Sequence, residues 1–83
     1  MNLFSIYYNK DNNEYLMINS TTKMYSWKTP LNFNNPKTSF LRFKSTEEDF
    51  IEYVNKEEGR NQIPIIQNKT KEEIINTYPE LFI

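Results

Sequence analysis

The 83-residue chain contains no cysteine, no histidine and only one glycine. Without thiols no disulfide forms, which excludes a small secreted disulfide scaffold. Structural zinc sites draw nearly all their ligands from Cys and His, so a zinc finger is excluded too. The usual base for a serine or threonine nucleophile is missing with the imidazole, and a single glycine cannot build a glycine-rich phosphate loop. No run approaches the roughly 18 consecutive apolar residues of a membrane helix. The opening segment MNLFSIYYNKDNNEY has neither a basic region nor a long apolar core, so no secretory leader is expected. These absences point to a cytoplasmic, non-catalytic chain with no cofactor, no metal and no membrane partner.

What is present in quantity is aromatic. Six Phe, six Tyr and one Trp sit in a chain that is only 37% hydrophobic and 25% charged. Disordered chains are poor in rings, so this one is expected to fold. The rings must supply much of the buried area in one small domain spanning residues 1–83. Asparagine occupies twelve positions and clusters in NKDNN and NFNN. With glycine nearly absent, Asn is the turn former.

The net charge of −1 conceals a polarity along the chain. Residues 1–46 carry six cations against two carboxylates; residues 47–83 carry four cations against nine. This predicts two electrostatic faces, although helix surfaces favour Glu on propensity alone.

LFSIYY (3–8) and EYLMIN (14–19) read as a hairpin around NKDNN, and MYSWKT (24–29) as a third strand with Tyr25 and Trp27 on one face. PLNFNNPK (30–37) is a loop, with Phe33 expected on the core. TSFLRFK (38–44) is compatible with another strand, Leu41 and Phe43 inward and Arg42 outward. In STEEDFIEYVNKEEG (45–59), Ser45 and Glu48 fit a capping box. Phe50, Ile51 and Val54 mark the buried stripe, and Gly59 the stop. QIPIIQ (62–67) is an edge strand or arm because Pro64 cannot donate to a ladder. Thr70 and Glu73 form a second capping box, opening a helix with Ile74, Ile75 and Tyr78 on its apolar face. Pro79 ends or restarts it, and Leu81 and Phe82 dock. The expected class is α+β: an antiparallel sheet of three to five strands, begun by an N-terminal meander, with two C-terminal helices packed on one face.

The adjacent carboxylate pairs Glu47/Glu48, Glu57/Glu58 and Glu72/Glu73 point in different directions on a helix and make poor acid–base pairs. Glu48 and Glu52 lie one turn apart and have the spacing to share a hard cation, but a solvated helix face is the simpler account. Two surfaces are candidates for binding a macromolecule. An acidic patch of Glu47, Glu48, Glu52, Glu57 and Glu58 suits a basic groove on a partner. Tyr25 and Trp27, with Arg42, offer anchor side chains on the sheet. Rings interleaved with Lys10, Lys23, Lys28, Lys37 and Arg42 can also stack bases and neutralise phosphates, although the overall charge is not basic.

The run IYYNKDNNEYLMINSTTKMYSWKT, followed by FLRFKSTEEDFIEYV, resembles a pattern common in small accessory proteins of bacterial phages and mobile elements. That pattern is a hairpin, a strand ending in Trp, then Arg-Phe-x-Ser-x-Glu-Glu entering a helix; here it covers about residues 5–55. Asp49 stands where a small residue is usual, and the loop at 30–37 is longer. The resemblance implies an inhibitor that binds a host protein or protein–nucleic-acid complex, such as a CRISPR-type defence or nucleic-acid-processing machine. The alternative expectation is a single-stranded nucleic-acid binder using the aromatic, basic sheet face. A dimerisation module is a third.

Overall fold

The computed structural model describes residues 1–27 and 42–81. Three N-terminal strands, β1 (Phe4–Asn9), β2 (Glu14–Asn19) and β3 (Met24–Trp27), form the meander. Helix α1 (Glu47–Glu57), strand β4 (Ile63–Lys69) and helix α2 (Lys71–Thr77) follow, and a 3-10 turn (Pro79–Leu81) comes after α2. All pairings are antiparallel and the sheet order is β3-β2-β1-β4. The α+β class and the antiparallel sheet are as expected. The expected loop at 30–37, with Phe33, lies outside the described residues, as do Leu41, Phe82 and most of TSFLRFK. The end of that run touches the sheet: Arg42 bridges Met24, the Phe43 N–H donates to the Lys23 carbonyl at 3.1 Å, and Phe43 is buried while Arg42 is exposed.

Both hairpins use one device. Asn9 pairs with Glu14 and Asn19 with Met24, each pair closing a four-residue loop. The Asn9 Oδ1 accepts from the Asp11 N–H at 3.0 Å, and the Asn19 Oδ1 from those of Thr21 and Thr22 at 3.0 and 3.1 Å. The last loop residue is left-handed in each, Asn13 at φ 54° and Lys23 at φ 65°. Asn side chains thus organise turns that glycine does not.

The helices divide between the two faces of the sheet, and this corrects the expected packing on one face. Ile6 and Met17 collect Ile74 of α2, with Phe4, Tyr15, Ile65, Ile66 and Leu81 around them. Their strand neighbours Tyr7, Leu16 and Ile18 collect Phe43, with Tyr25, Trp27 and the α1 residues Phe50 and Ile51. Consecutive strand residues point to opposite faces, so these are two cores on either side of one sheet. The cause is in the strands: Ile6-Tyr7 and Leu16-Met17-Ile18 are uninterrupted apolar runs, and each face of such a run needs a cover.

Helix caps set the registers. The N-cap of α1 is Thr46 and not Ser45: Thr46 is extended and its Oγ1 accepts from the Asp49 N–H at 3.1 Å, while the Ser45 hydroxyl donates to the Thr46 carbonyl. A shift of one residue makes Glu47 the first helical residue. At the second box Thr70 is the N-cap as expected, its Oγ1 accepting from the Glu73 N–H at 3.2 Å, while the Glu73 carboxylate accepts from the Thr70 hydroxyl at 3.2 Å. On α2, Ile74 is fully buried and Tyr78 half-buried, but Ile75 is turned outward. Strand β4 is an edge strand, as Pro64 requires. It carries two register shifts against β1, and Asn68 within it is left-handed at φ 56°. Among the described residues no helix is long and apolar enough to cross a membrane.

Gly59 terminates α1 in the left-handed region at φ 67°, and no atom lies within 4 Å of where a Cβ would stand. Gly59→Ala therefore meets conformational strain and no clash. It is expected to cost about 1 kcal/mol in urea unfolding, with Gly59→Asn recovering most of the loss.

Candidate functional site: the acidic helix and the groove beside it

Glu47 is the residue that fastens α1 to the sheet. The Tyr7 hydroxyl donates to its Oε2 at 2.6 Å and the Ser20 hydroxyl to its Oε1 at 2.5 Å. Behind Tyr7, the Gln67 Nε2 donates to the phenol oxygen at 2.9 Å. Behind Ser20, the Ser5 hydroxyl lies 3.0 Å away; since Ser20 gives its proton to Glu47, Ser5 is the donor there. Ser5 in turn accepts from the Asn68 N–H at 3.1 Å. Two donor chains, one from Gln67 and one from Asn68, thus converge on one carboxylate. Burial pushes the Tyr7 phenol well above its ordinary pKa. Its hydrogen bond to Glu47 adds to this and outweighs the opposing bond from Gln67.

The other end of α1 is pinned by an amide. The Gln62 N–H donates to the Asn55 Oδ1 at 2.8 Å, and the Asn55 Nδ2 donates back to the Gln62 carbonyl at 3.4 Å. Val54, on the same turn, is buried. The helix is therefore held against the sheet at both ends and through its middle.

This fixed helix exposes most of the chain's acidity. Glu48, Asp49, Glu52 and Glu57 are all exposed, and among the described residues none makes an ion pair. Glu48 and Glu52 border a groove of about 560 Å³ between α1 and β4, lined also by Tyr7, Ile51, Asn55, Lys56, Pro64 and Gln67. On the outer side, Asp49, Glu52, Lys56 and Glu57 surround the half-exposed ring of Tyr53. Among the described residues no group of three or more carboxylates is placed to share one ion.

The remaining candidates are engaged elsewhere. Glu58 caps the C-terminus of α1 and pairs with Arg60 at 3.3 Å. Arg60 also pairs with Glu14, and its guanidinium lies 4.2 Å from the Trp27 ring centroid. Trp27 packs edge-on against Tyr25, which lies 4.7 Å from Phe50, and Phe50 stacks on Phe43 at 4.6 Å. Tyr25 and Trp27 thus form the seam between α1 and the sheet, and burial raises the Tyr25 phenol above its ordinary pKa. Arg42 sits exposed beside β3, where its backbone bridges Met24. The structure groups Glu48 and Glu52 at the groove, puts Glu57 on the outer face, and removes Glu47 from the free surface.

Sequence reasoning overlooked Tyr53, Asn55 and Gln67. Tyr53 was accessible from helical period, since it lies off the Phe50–Val54 stripe. Asn55 and Gln67 depend on how β4 pairs, which no local pattern encodes. A comparison of the chain with protein-family models, with curated proteins and with solved structures finds no match in any of the three.

Removing either partner of the Glu47 network has a cost. Tyr7→Phe is expected to lose about 1–2 kcal/mol and Glu47→Ala about 2–3 kcal/mol, because the latter strands two hydroxyls. In urea unfolding, the double variant should lose less than the sum, with about 1 kcal/mol of coupling. The Tyr7 phenol also gives stability a pH dependence. Its folded pKa exceeds the unfolded value of about 10, so its contribution is complete below pH 10 and drains away as the pH climbs above it. Unfolding free energies measured between pH 8 and 11 should fall less steeply for Tyr7→Phe than for the native chain.

Proposed function

We propose that the chain is a non-catalytic binding protein whose acidic α1 surface docks on a basic surface of a host macromolecule and inhibits it. The origin implied by the residue pattern is a phage or mobile element. The class of target it suggests is a nucleic-acid-processing or CRISPR-type defence complex in the host cytoplasm. The observation that carries the reading is the combination of carboxylates at Glu48, Asp49, Glu52 and Glu57, exposed and unpaired among the described residues, with a helix anchored at both ends. A helix held in place loses little backbone entropy when a partner arrives. Its field also speeds encounter with an opposite charge.

The nucleic-acid reading has less support. It needs rings presented on an open sheet face, but Tyr7 is buried, Tyr25 packs on Phe50, and Trp27 lies under Arg60. Imidazole, the commonest general base, and thiol, the most nucleophilic side chain, are both absent from the sequence.

Capture from a bacterial lysate, with partners identified by mass spectrometry, tests the proposal. The native chain should retain a basic protein or complex that is released by salt. Glu48→Lys with Glu52→Lys and Glu57→Lys should abolish capture while the chain stays folded, with only the small loss in Tm that a first-turn Lys brings. Unchanged capture by that triple variant would sink the reading. Tight binding of a labelled single-stranded oligonucleotide that weakens steeply with salt would replace it with the nucleic-acid reading.

A further inference from the structure

The groove between α1 and β4 narrows what the acidic surface accepts. Its floor is apolar, with Ile51 from the helix, Pro64 from the edge strand and the ring of Tyr7 beneath. Its helix wall carries Glu48 and Glu52, one turn apart and unpaired among the described residues. The Asn55 and Gln67 side chains add polar groups along it, and Lys56 lies on the same stretch of helix. A volume of about 560 Å³ falls inside the range of side-chain and ligand clefts, about 300–1,000 Å³. The charge on Glu48 is among the influences that keep the Tyr7 phenol neutral, so its field reaches the floor.

We propose that this groove receives an arginine side chain from an extended basic segment of the partner protein. The methylene stem lies on Ile51 and Pro64, and the guanidinium sits between the Glu48 and Glu52 carboxylates. Arginine fits better than lysine for two reasons. Its stem is apolar while its head stays charged, and its rigid fork of donors can serve two carboxylates at once where an ammonium is a single point. An anionic occupant such as a phosphate backbone is repelled by the same wall. This inference rests on the reading of α1 as the docking surface and adds the identity of the group it grips.

The test is a titration of the ¹⁵N-labelled full chain with acetyl-Gly-Ile-Arg-Ile-Gly-amide, followed by amide chemical shifts. The same peptide with citrulline, the neutral isostere of arginine, is the control. The expected result is saturable shifts at Ile51, Glu52, Asn55 and Gln67 with the arginine peptide only. Glu48→Gln with Glu52→Gln should weaken them about fivefold to tenfold. Asp49→Asn with Glu57→Gln, on the outer face, should leave them unchanged. Both pairs are exposed, and the spectra themselves report whether the variants stay folded. The inference is overturned if the native chain does not respond, if citrulline binds equally, or if the outer-face pair carries the response. None of these outcomes touches the broader reading, which stands or falls on the capture experiment with the charge-reversed triple variant.

Discussion

The arrangement turns on one carboxylate. Glu47 accepts from hydroxyls on β1 and on the turn after β2, and those hydroxyls are backed by donors from β4. Strand, turn, helix and edge strand therefore meet at one charged acceptor. Hydrogen bonds to an ionised acceptor are the stronger kind, and satisfying a partly buried carboxylate on both oxygens offsets the cost of drying it. The apolar contacts of Phe50 and Ile51 bring α1 to the sheet, but such contacts are non-directional. The fixed geometry of Glu47 selects one rotation of the helix, and that rotation decides which acids face outward.

The two-sided sheet explains how so small a chain holds together. Each face alone offers few large aliphatic groups: Ile6 and Met17 on one, Leu16 and Ile18 on the other. Covering both lets the central strands β1 and β2 serve two cores at once. The rings fill what the aliphatics leave, through the run from Trp27 through Tyr25 and Phe50 to Phe43. Among the described residues these rings are thus spent on packing, and the charge that α1 exposes is chiefly acidic.

Much of the fold was legible in the sequence because it is written in short-range chemistry. Strand propensity marked β1 to β3, asparagine marked the turns, Pro64 marked the edge, Gly59 marked the helix stop, and Thr70 marked the second cap. Two features were not legible. Ser45 and Thr46 are chemically similar caps, and the choice of Thr46 follows from where Glu47 must reach, a contact 40 residues away in sequence. The split of the helices between faces was written in the uninterrupted apolar runs of β1 and β2, but the order of strands first and helices last suggested helices on a single face. At the candidate site, Glu48, Glu52 and Glu57 were identifiable as exposed helix acids, whereas Tyr25 and Trp27 looked available only because the partners that cover them, Phe50 and Arg60, come from distant segments.

The outer edge of β4 carries a last consequence. Pro64 removes one main-chain donor there, two register shifts break the ladder's regular spacing, and Asn68 turns the backbone aside. Such an edge is a poor template for another strand. Zipping of crowded copies into fibrils along this side is disfavoured, and so is a guest peptide extending the sheet from β4. The docking proposed for α1 relies instead on side-chain chemistry, which can be retuned one substitution at a time without disturbing the backbone that displays it.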